Sequence, residues 1–439
     1  MNSTFQRRGL TLIWAAMCLS GTRVALAQVQ GARDGRILPS PAGPLPIGRV
    51  TYHWIDSTRR DPLAKDESAP RELLVDVWYP AAPTTASPAP YLPDFSALRQ
   101  VLPDSVLRRR YAPAYGAAVE GRLVTHAVEG ALARCPQQGC PLLLFSHGGG
   151  VDRSLYTAQY EDFASHGYVV AAIGHTYLTH TVVFPDGRVV RLQDRRSITP
   201  PNVDSSASYW RRRFAEAAAT NHFRYAQAAA DLRFVLDQMG RYSRNDLRAP
   251  FAGQVDLQKV GAVGHSMGGL AVAMACRQDA RIKACLNQDG SDDGLPADRD
   301  AQGRTLSQPF MYFGRVEPPA RPRADSVLAR IEMTRAEDDS IRQSRPRERD
   351  AIHEDVAGGS WRVRITVPSA EHMSFSDELL IAGAADSAAH HDALRILALV
   401  HRYSRAFFDH TLGGQRDTPL DRPIAGDANL VLVERFRSR

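Results

Sequence analysis

The sequence predicts an α/β fold, a mostly parallel central sheet flanked by helices and carrying cap-like insertions, and three stretches lead to it. Leu142-Leu143-Leu144-Phe145-Ser146 is an unbroken apolar run, as a strand buried on both faces requires. A glycine turn, a helix from about Leu155 to His166 and a second apolar run from Tyr168 to Ile173 follow, and that order makes the two strands parallel neighbours. Farther on, Lys259 to Val263 reads as a short buried strand and Leu270 to Ala275 as a helix, so Gly264-His265-Ser266-Met267-Gly268 occupies the turn between them. The third stretch is a long helix from about Tyr209 to Met239, in which Phe223, Ala226, Ala230, Phe234 and Leu236 recur at helical spacing as a core-facing stripe.

Taken from the N-terminus, residues 1–27 read as a secretory signal peptide. Arg7-Arg8 precedes an apolar run from Leu10 to Leu19, and Ala25-Leu26-Ala27 is a small-x-small cleavage site. The run is too short to span a bilayer, so the chain is expected to be secreted or periplasmic. Residues 28–439 then form one domain, with insertions around 81–140 and 318–358. Residues 31–47 form an extended lead-in. Arg49 to Trp54 and Leu73 to Tyr79 are strands that bring the chain antiparallel into the larger sheet, and the proline-broken stretch from Pro80 to Cys140 is a cap-like insertion near the site. Beyond the Ser266 turn come strands at Ile282 to Leu286, Phe310 to Phe313 and Arg362 to Val367. The charged stretch from Arg321 to Asp350 is an exposed helical excursion, and a helix from about Ala388 to Phe408 closes the domain.

Composition limits the function classes. At 439 residues with 44% apolar content the chain can build one large core. The net charge of +6 comes almost wholly from scattered arginine, with Lys only at 65, 259 and 283. Arg108-Arg109-Arg110 and Arg211-Arg212-Arg213 are runs of three without a nucleic-acid reader motif, so no nucleic-acid partner is expected. Removing the leader takes Cys18 with it and leaves Cys135, Cys140, Cys276 and Cys285, an even number in an oxidising compartment. Of three connectivities, the turn residues between Cys135 and Cys140 and the short return from Cys276 to Cys285 favour those two pairs.

A serine hydroxyl is a weak nucleophile until a general base takes its proton and a carboxylate orients that base. On a strand-to-helix turn Ser266 would adopt a strained backbone, and glycines two residues before and after it leave room for the crossing strand and helix. His372, in Pro368-Ser369-Ala370-Glu371-His372, follows the last strand and is the candidate base among 14 histidines. The oxyanion of an acyl transfer needs two fixed backbone donors. The amide of Met267 is one, and Gly149, in His147-Gly148-Gly149-Gly150 after an earlier strand, is the other. A phosphate cradle is not indicated, because no Lys-Ser/Thr pair follows these glycines. Neither a cofactor nor a metal is expected.

Several blocks together resemble the type II platelet-activating-factor acetylhydrolase family, the lipoprotein-associated phospholipases and their bacterial secreted relatives. They are Leu144 to Gly150, Leu155-Tyr156 with Ala164 to Ala172, Gly264 to Gly269, Asp289-Gly290, and His372 to Asp377. The resemblance implies an α/β-hydrolase fold and a serine esterase, 1-alkyl-2-acetylglycerophosphocholine esterase-like, that cleaves short or oxidised acyl esters of phospholipids or similar small esters. Transient contact with a membrane surface is compatible with it. It implies Ser266 as nucleophile, Asp289 as acid, His372 as base, and the amides of Gly149 and Met267 as the oxyanion hole. Gly149 stands where many relatives carry Leu, which changes the pocket wall and leaves the backbone role intact.

For the acid, fold and family point to different residues, and Asp289, short and held by the tight turn that Gly290 permits, is preferred to Glu317, which has an extra methylene and adjoins two prolines. Most hydrolases of this fold place it after the strand that here is Phe310 to Phe313, which indicates Glu317; the resemblance places it one strand earlier, at Asp289. A general carboxylesterase or polyester hydrolase would share every catalytic residue. A non-catalytic binding protein on the same fold is the reading from another class.

Overall fold

In the computed structural model, which describes residues 38–66, 68–111, 115–116, 123–192, 209–245, 248–290, 306–317, 321–382, 387–422 and 424–437, the apolar runs become strands of one 11-stranded sheet. Residues 1–27, read above as a leader, lie outside this range. The chain begins with β1 (Ile47–Arg60), β2 (Pro70–Pro80), β3 (Pro88–Pro90), α1 (Phe95–Val101), α2 (Asp104–Tyr111) and β4 (Val124–Glu129). Next come β5 (Cys140–Ser146), α3 (Thr157–Ser165), β6 (Val169–Gly174), the hairpin β7 (Thr181–Val183) with β8 (Val189–Arg191), α4 (Tyr209–Asn245), β9 (Val255–His265), α5 (Met267–Gln278) and β10 (Ile282–Gln288). β11 (Phe310–Arg315), α6 (Asp325–Arg330), α7 (Arg335–Glu354), β12 (Ser360–Ile365), α8 (Glu378–Ala382), α9 (Ala388–Thr411) and β13 (Val431–Phe436) complete it.

The strand order is β13-β12-β11-β10-β9-β5-β6-β2-β1-β4-β3. From β6 to β12 every neighbouring pair is parallel, whereas β2 joins β6, and β13 joins β12, antiparallel. The centre of the sheet explains the apolar run at 142–145. Side chains alternate between faces, so Leu142 and Leu144 enter the layer beneath α4 and α5, while Leu143 and Phe145 enter the layer beneath α3 and α9. All four are fully buried, each contributing about 1.5–3 kcal/mol of transfer free energy. A carboxylate at Leu143 would face that layer unpaired and break the centre of the sheet.

Several local expectations are corrected. Part of the 81–140 stretch extends the sheet instead of capping it, because β4 pairs parallel with β1 and β3 with β4. The 321–350 stretch is the exposed helical excursion expected; it forms α6 and α7, the crossover that parallel β11 and β12 require, with Thr334 and Glu337 closing a capping box at the start of α7. The helix α9 does not close the domain. β13 follows and pairs with β12 at the sheet edge, where Arg364 and Glu434 form an ion pair; a half-exposed edge strand with charged residues carries little hydrophobic pattern. The buried face of α4 is Ala228, Ala229, Leu232, Val235, Leu236 and Met239, while Phe223 and Phe234 are half-buried at its margin. Alanines face inward because α4 packs closely on α5, and the larger aromatics had drawn the expected stripe out of phase.

Candidate active site

Three loops that follow the parallel strands β9, β10 and β12 meet above the sheet. The first is the turn from β9 into α5. Ser266 sits there at φ 55°, ψ −119°, a conformation L residues rarely adopt. The flanking glycines are sterically required. A Cβ on Gly264 would lie 2.4 Å from the Gly268 carbonyl carbon, and one on Gly268 would lie 2.1 Å from the Ser146 carbonyl oxygen. The second loop follows β10 and carries Asp289, also at positive φ (47°), with its amide on the Phe313 carbonyl at 2.8 Å. A short 3-10 turn, His372–Phe375, is the third.

These loops bring Ser266, His372 and Asp289 into one hydrogen-bonded line. Ser266 Oγ lies 2.9 Å from His372 Nε2, and His372 Nδ1 lies 2.6 Å from Asp289 Oδ2. The Asp289 side chain is 3% exposed and that of His372 is 43% exposed, so the carboxylate is enclosed while the imidazole faces solvent. Arg315, at the end of β11, donates from Nε to the same Asp289 oxygen at 3.2 Å. Glu317 is not brought to the histidine; its exposed carboxylate lies 3.7 Å from the Arg315 guanidinium.

The glycine loop after β5 lies against the same turn. A Cβ on Gly149 would come within 3.4 Å of Met267 Sδ, which places the two residues side by side. Its neighbours are committed: the Gly148 amide donates to the Tyr156 hydroxyl at 3.0 Å and the Gly150 amide to the Leu178 carbonyl at 2.8 Å. Neither the Gly149 nor the Met267 amide donates to a protein acceptor among the described residues. Met267 is also the first residue of α5, where the helix dipole favours negative charge.

Sequence reasoning missed two buried networks beneath these loops. In the first, Tyr156 Oη lies 2.9 Å from His265 Nδ1, and His265 Nε2 lies 2.9 Å from the His372 carbonyl oxygen. In the second, Ser146 Oγ meets His175 Nε2 at 2.8 Å, His175 Nδ1 meets Asp231 Oδ2 at 3.0 Å, and Arg71 and Arg59 hold the Asp231 carboxylate. The His175 amide donates to His147 Nε2 at 3.1 Å. Burial, with the neighbouring His175, pushes His147 down to about 3, and burial likewise lowers His175, so both rings are neutral. The signal was present in Asp231, a charge in the middle of an apolar helix face, and in His265 inside the glycine-flanked motif. Among the described residues no three His, Cys, Asp or Glu side chains gather as a metal group would need.

The disulfides are Cys135–Cys140 and Cys276–Cys285, with Cα separations of 5.4 and 6.5 Å. No helix among the described residues is long and apolar enough to cross a membrane.

Comparison with known proteins extends this geometry. Residues 31–317 match the family described as platelet-activating factor acetylhydrolase, isoform II, a span that includes Ser266 and Asp289 and stops before His372. A probable 1-alkyl-2-acetylglycerophosphocholine esterase of Arthroderma benhamiae is 27% identical over 300 residues, covering 66% of this chain and 68% of that protein. A platelet-activating factor acetylhydrolase of Canis lupus familiaris is 28% identical over 186 residues, a match that spans 39% of the length of each. The solved ferulic acid esterase of Streptomyces cinnamoneus superposes with a TM-score of 0.63 at 27% identity, over 91% of this chain and 98% of that one. The fold is that of an α/β-hydrolase.

Proposed function

We propose that this chain, which belongs to the platelet-activating factor acetylhydrolase isoform II family and is therefore an esterase, is an exported serine hydrolase of short or oxidised acyl esters of phospholipids and similar small esters. The observation that carries the reading is the line Ser266–His372–Asp289, with two uncommitted amides, Gly149 and Met267, beside the serine. Ser266 Oγ attacks the ester carbonyl carbon while His372 Nε2 takes its proton, and Asp289 keeps the imidazole in the tautomer that can accept it. The carbonyl oxygen becomes an oxyanion between the Gly149 and Met267 amides. Collapse of this intermediate expels the alcohol, protonated by His372, and leaves the acyl group on Ser266. Water, deprotonated by His372, then repeats the sequence and releases the acid. Arg315 donates to the same Asp289 oxygen that His372 contacts and helps hold the carboxylate in place.

The leader-like residues 1–27 and the two disulfides support export, and residues 28–439 are read as one catalytic domain. Leu192, exposed beside Gly150, and Val316, exposed after Arg315, support a mouth that touches a membrane surface transiently. A second reading, a general carboxylesterase or polyester hydrolase, is favoured by the likeness to a ferulic acid esterase over nearly the whole chain. One set of assays decides between them: rates on nitrophenyl esters of rising chain length, on phospholipids with short and long sn-2 chains, and on a feruloyl ester. Preference for short sn-2 phospholipids supports the first reading. Preference for the feruloyl ester replaces it with the second.

A further inference from the structure

The glycine loop, the Ser266 turn and the His372 turn are joined underneath by a chain of hydrogen bonds in which the place of every proton is determined. A carbonyl oxygen can only accept, so at the His372 end the proton sits on His265 Nε2. Burial, with the adjacent His372, pushes His265 down to about 3 and keeps the ring neutral, so Nδ1 is bare and accepts the Tyr156 O–H. The Tyr156 oxygen then accepts the Gly148 N–H. The whole relay runs one way, from Gly148 through Tyr156 and His265 to His372, and neither side chain has any exposure to exchange these bonds for water. The His265 ring has no freedom to turn. It stacks on Phe375 at 5.8 Å and 16°, and its centroid lies 4.6 Å from that of His372.

Each end of the relay lies next to a reacting group. Gly148 precedes the Gly149 donor, His265 precedes Ser266, and the carbonyl at the far end belongs to His372 itself. We propose that Tyr156 and His265 are positioning residues, which hold the oxyanion donor and the base in register on the nucleophile by tying their two loops together beneath it. The proposal rests on the Ser266 reading above. Tyr156→Phe keeps the ring and removes both bonds; His265→Gln keeps a donor for the His372 carbonyl and loses the ring nitrogen that accepts from Tyr156.

The experiment measures kcat, KM and the second-order rate of labelling by an organophosphonate for Tyr156→Phe, His265→Gln and the double variant. Circular dichroism at the assay temperature confirms that each is folded. A misplacement of the order of an ångström costs up to about a hundredfold, so kcat and the labelling rate are expected to fall about tenfold to a hundredfold with KM within about twofold. The double variant should be no slower than the slower single, because one chain is cut in either place. Additive losses, or variants that melt earlier yet turn over at the wild-type rate, overturn the proposal. If Tyr156→Phe does not fold, His265→Gln against wild type carries the kcat and labelling comparison alone. Ser266→Ala run alongside separates the two readings, since labelling that survives it removes the serine mechanism itself.

Discussion

Two serine–histidine–aspartate lines lie on adjacent strands of this protein, and their bond lengths hardly distinguish them. Ser266–His372–Asp289 has contacts of 2.9 and 2.6 Å; Ser146–His175–Asp231 has contacts of 2.8 and 3.0 Å. Ser146 even pairs in register with Gly264, two residues before the other serine. The lines differ in what surrounds them. Ser146, His175 and Asp231 have no exposure, so no ester carbonyl can approach, and Ser146 ends a regular strand without the positive-φ turn that lifts Ser266 out of the sheet. The Asp231 carboxylate is already occupied by Arg71 and Arg59. A triad by hydrogen bonding alone is therefore only a well-satisfied polar cluster. Reactivity additionally needs an open face and amides waiting for the oxyanion. The buried line stitches β5, the end of β6, α4 and β2 together, and through the His175 amide it holds His147 at the root of the glycine loop.

The largest expected effect separates the two serines. Ser266→Ala should lower kcat on a nitrophenyl ester by about 10⁴-fold to 10⁶-fold with little change in melting temperature. Ser146→Ala should leave kcat within about tenfold and cost on the order of 1 kcal/mol of stability, the net worth of one hydrogen bond. Organophosphonate labelling that required Ser146 and spared Ser266 would reverse the comparison.

The two enclosed aspartates come next. Asp289→Asn should lower kcat by about a thousandfold or more through the wrong imidazole tautomer. Glu317→Gln should cost less than about tenfold, since that carboxylate does not touch His372. Both are read on the same ester, and the opposite ranking would move the acid to Glu317.

Asp231 should act on stability instead of chemistry. Burial alone would raise its carboxyl, but the charge on Arg71 and the hydrogen bonds from His175 and Arg71 outweigh it and hold the group well below the usual carboxylate range. A depressed carboxyl adds stability above its unfolded pKa, about 3.9, and that stability is lost as pH falls through the folded value. Asp231→Asn, which leaves the Arg71 charge buried and underpaired, should cost about 3–5 kcal/mol at neutral pH and flatten the loss of stability below about pH 4. Melting curves across that range check it; an unchanged acid limb would count against the ion pair.

The smallest effect on turnover belongs to the disulfides. Reducing both should lower the melting temperature, about 2–3 kcal/mol for each short loop, and leave kcat within about twofold below the new transition. A large loss of kcat in folded, reduced protein would tie Cys276–Cys285, which links α5 to β10, to the geometry of the site.

The sequence by itself determined those features whose physics is contained within a few neighbouring residues. Gly264 to Gly268 encode the strained turn, because the clash that demands glycine at Gly264 arises where its own strand and helix cross, whereas the one at Gly268 is with Ser146 on the neighbouring strand. The apolar runs at 142–146 and 168–173 announce parallel strands for the same local reason, and the disulfides close loops only 5 and 9 residues long. Only the tertiary structure could decide matters that depend on distant partners. Asp289 and Glu317 both follow strands in the expected order, and the choice between them at His372 is a contact across 83 residues. Ser146, His175 and Asp231 form a line as closely hydrogen-bonded as that of Ser266, His372 and Asp289, assembled from strand, loop and helix far apart in the chain. Their silence comes from burial and from the arginines of β1 and β2, contributed by chain 160 and 172 residues from Asp231. The edge strand β13 and the inward phase of α4 belong to the same class. Burial and hydrogen-bond satisfaction are sums over neighbours that folding brings together, and no short window of sequence contains those neighbours.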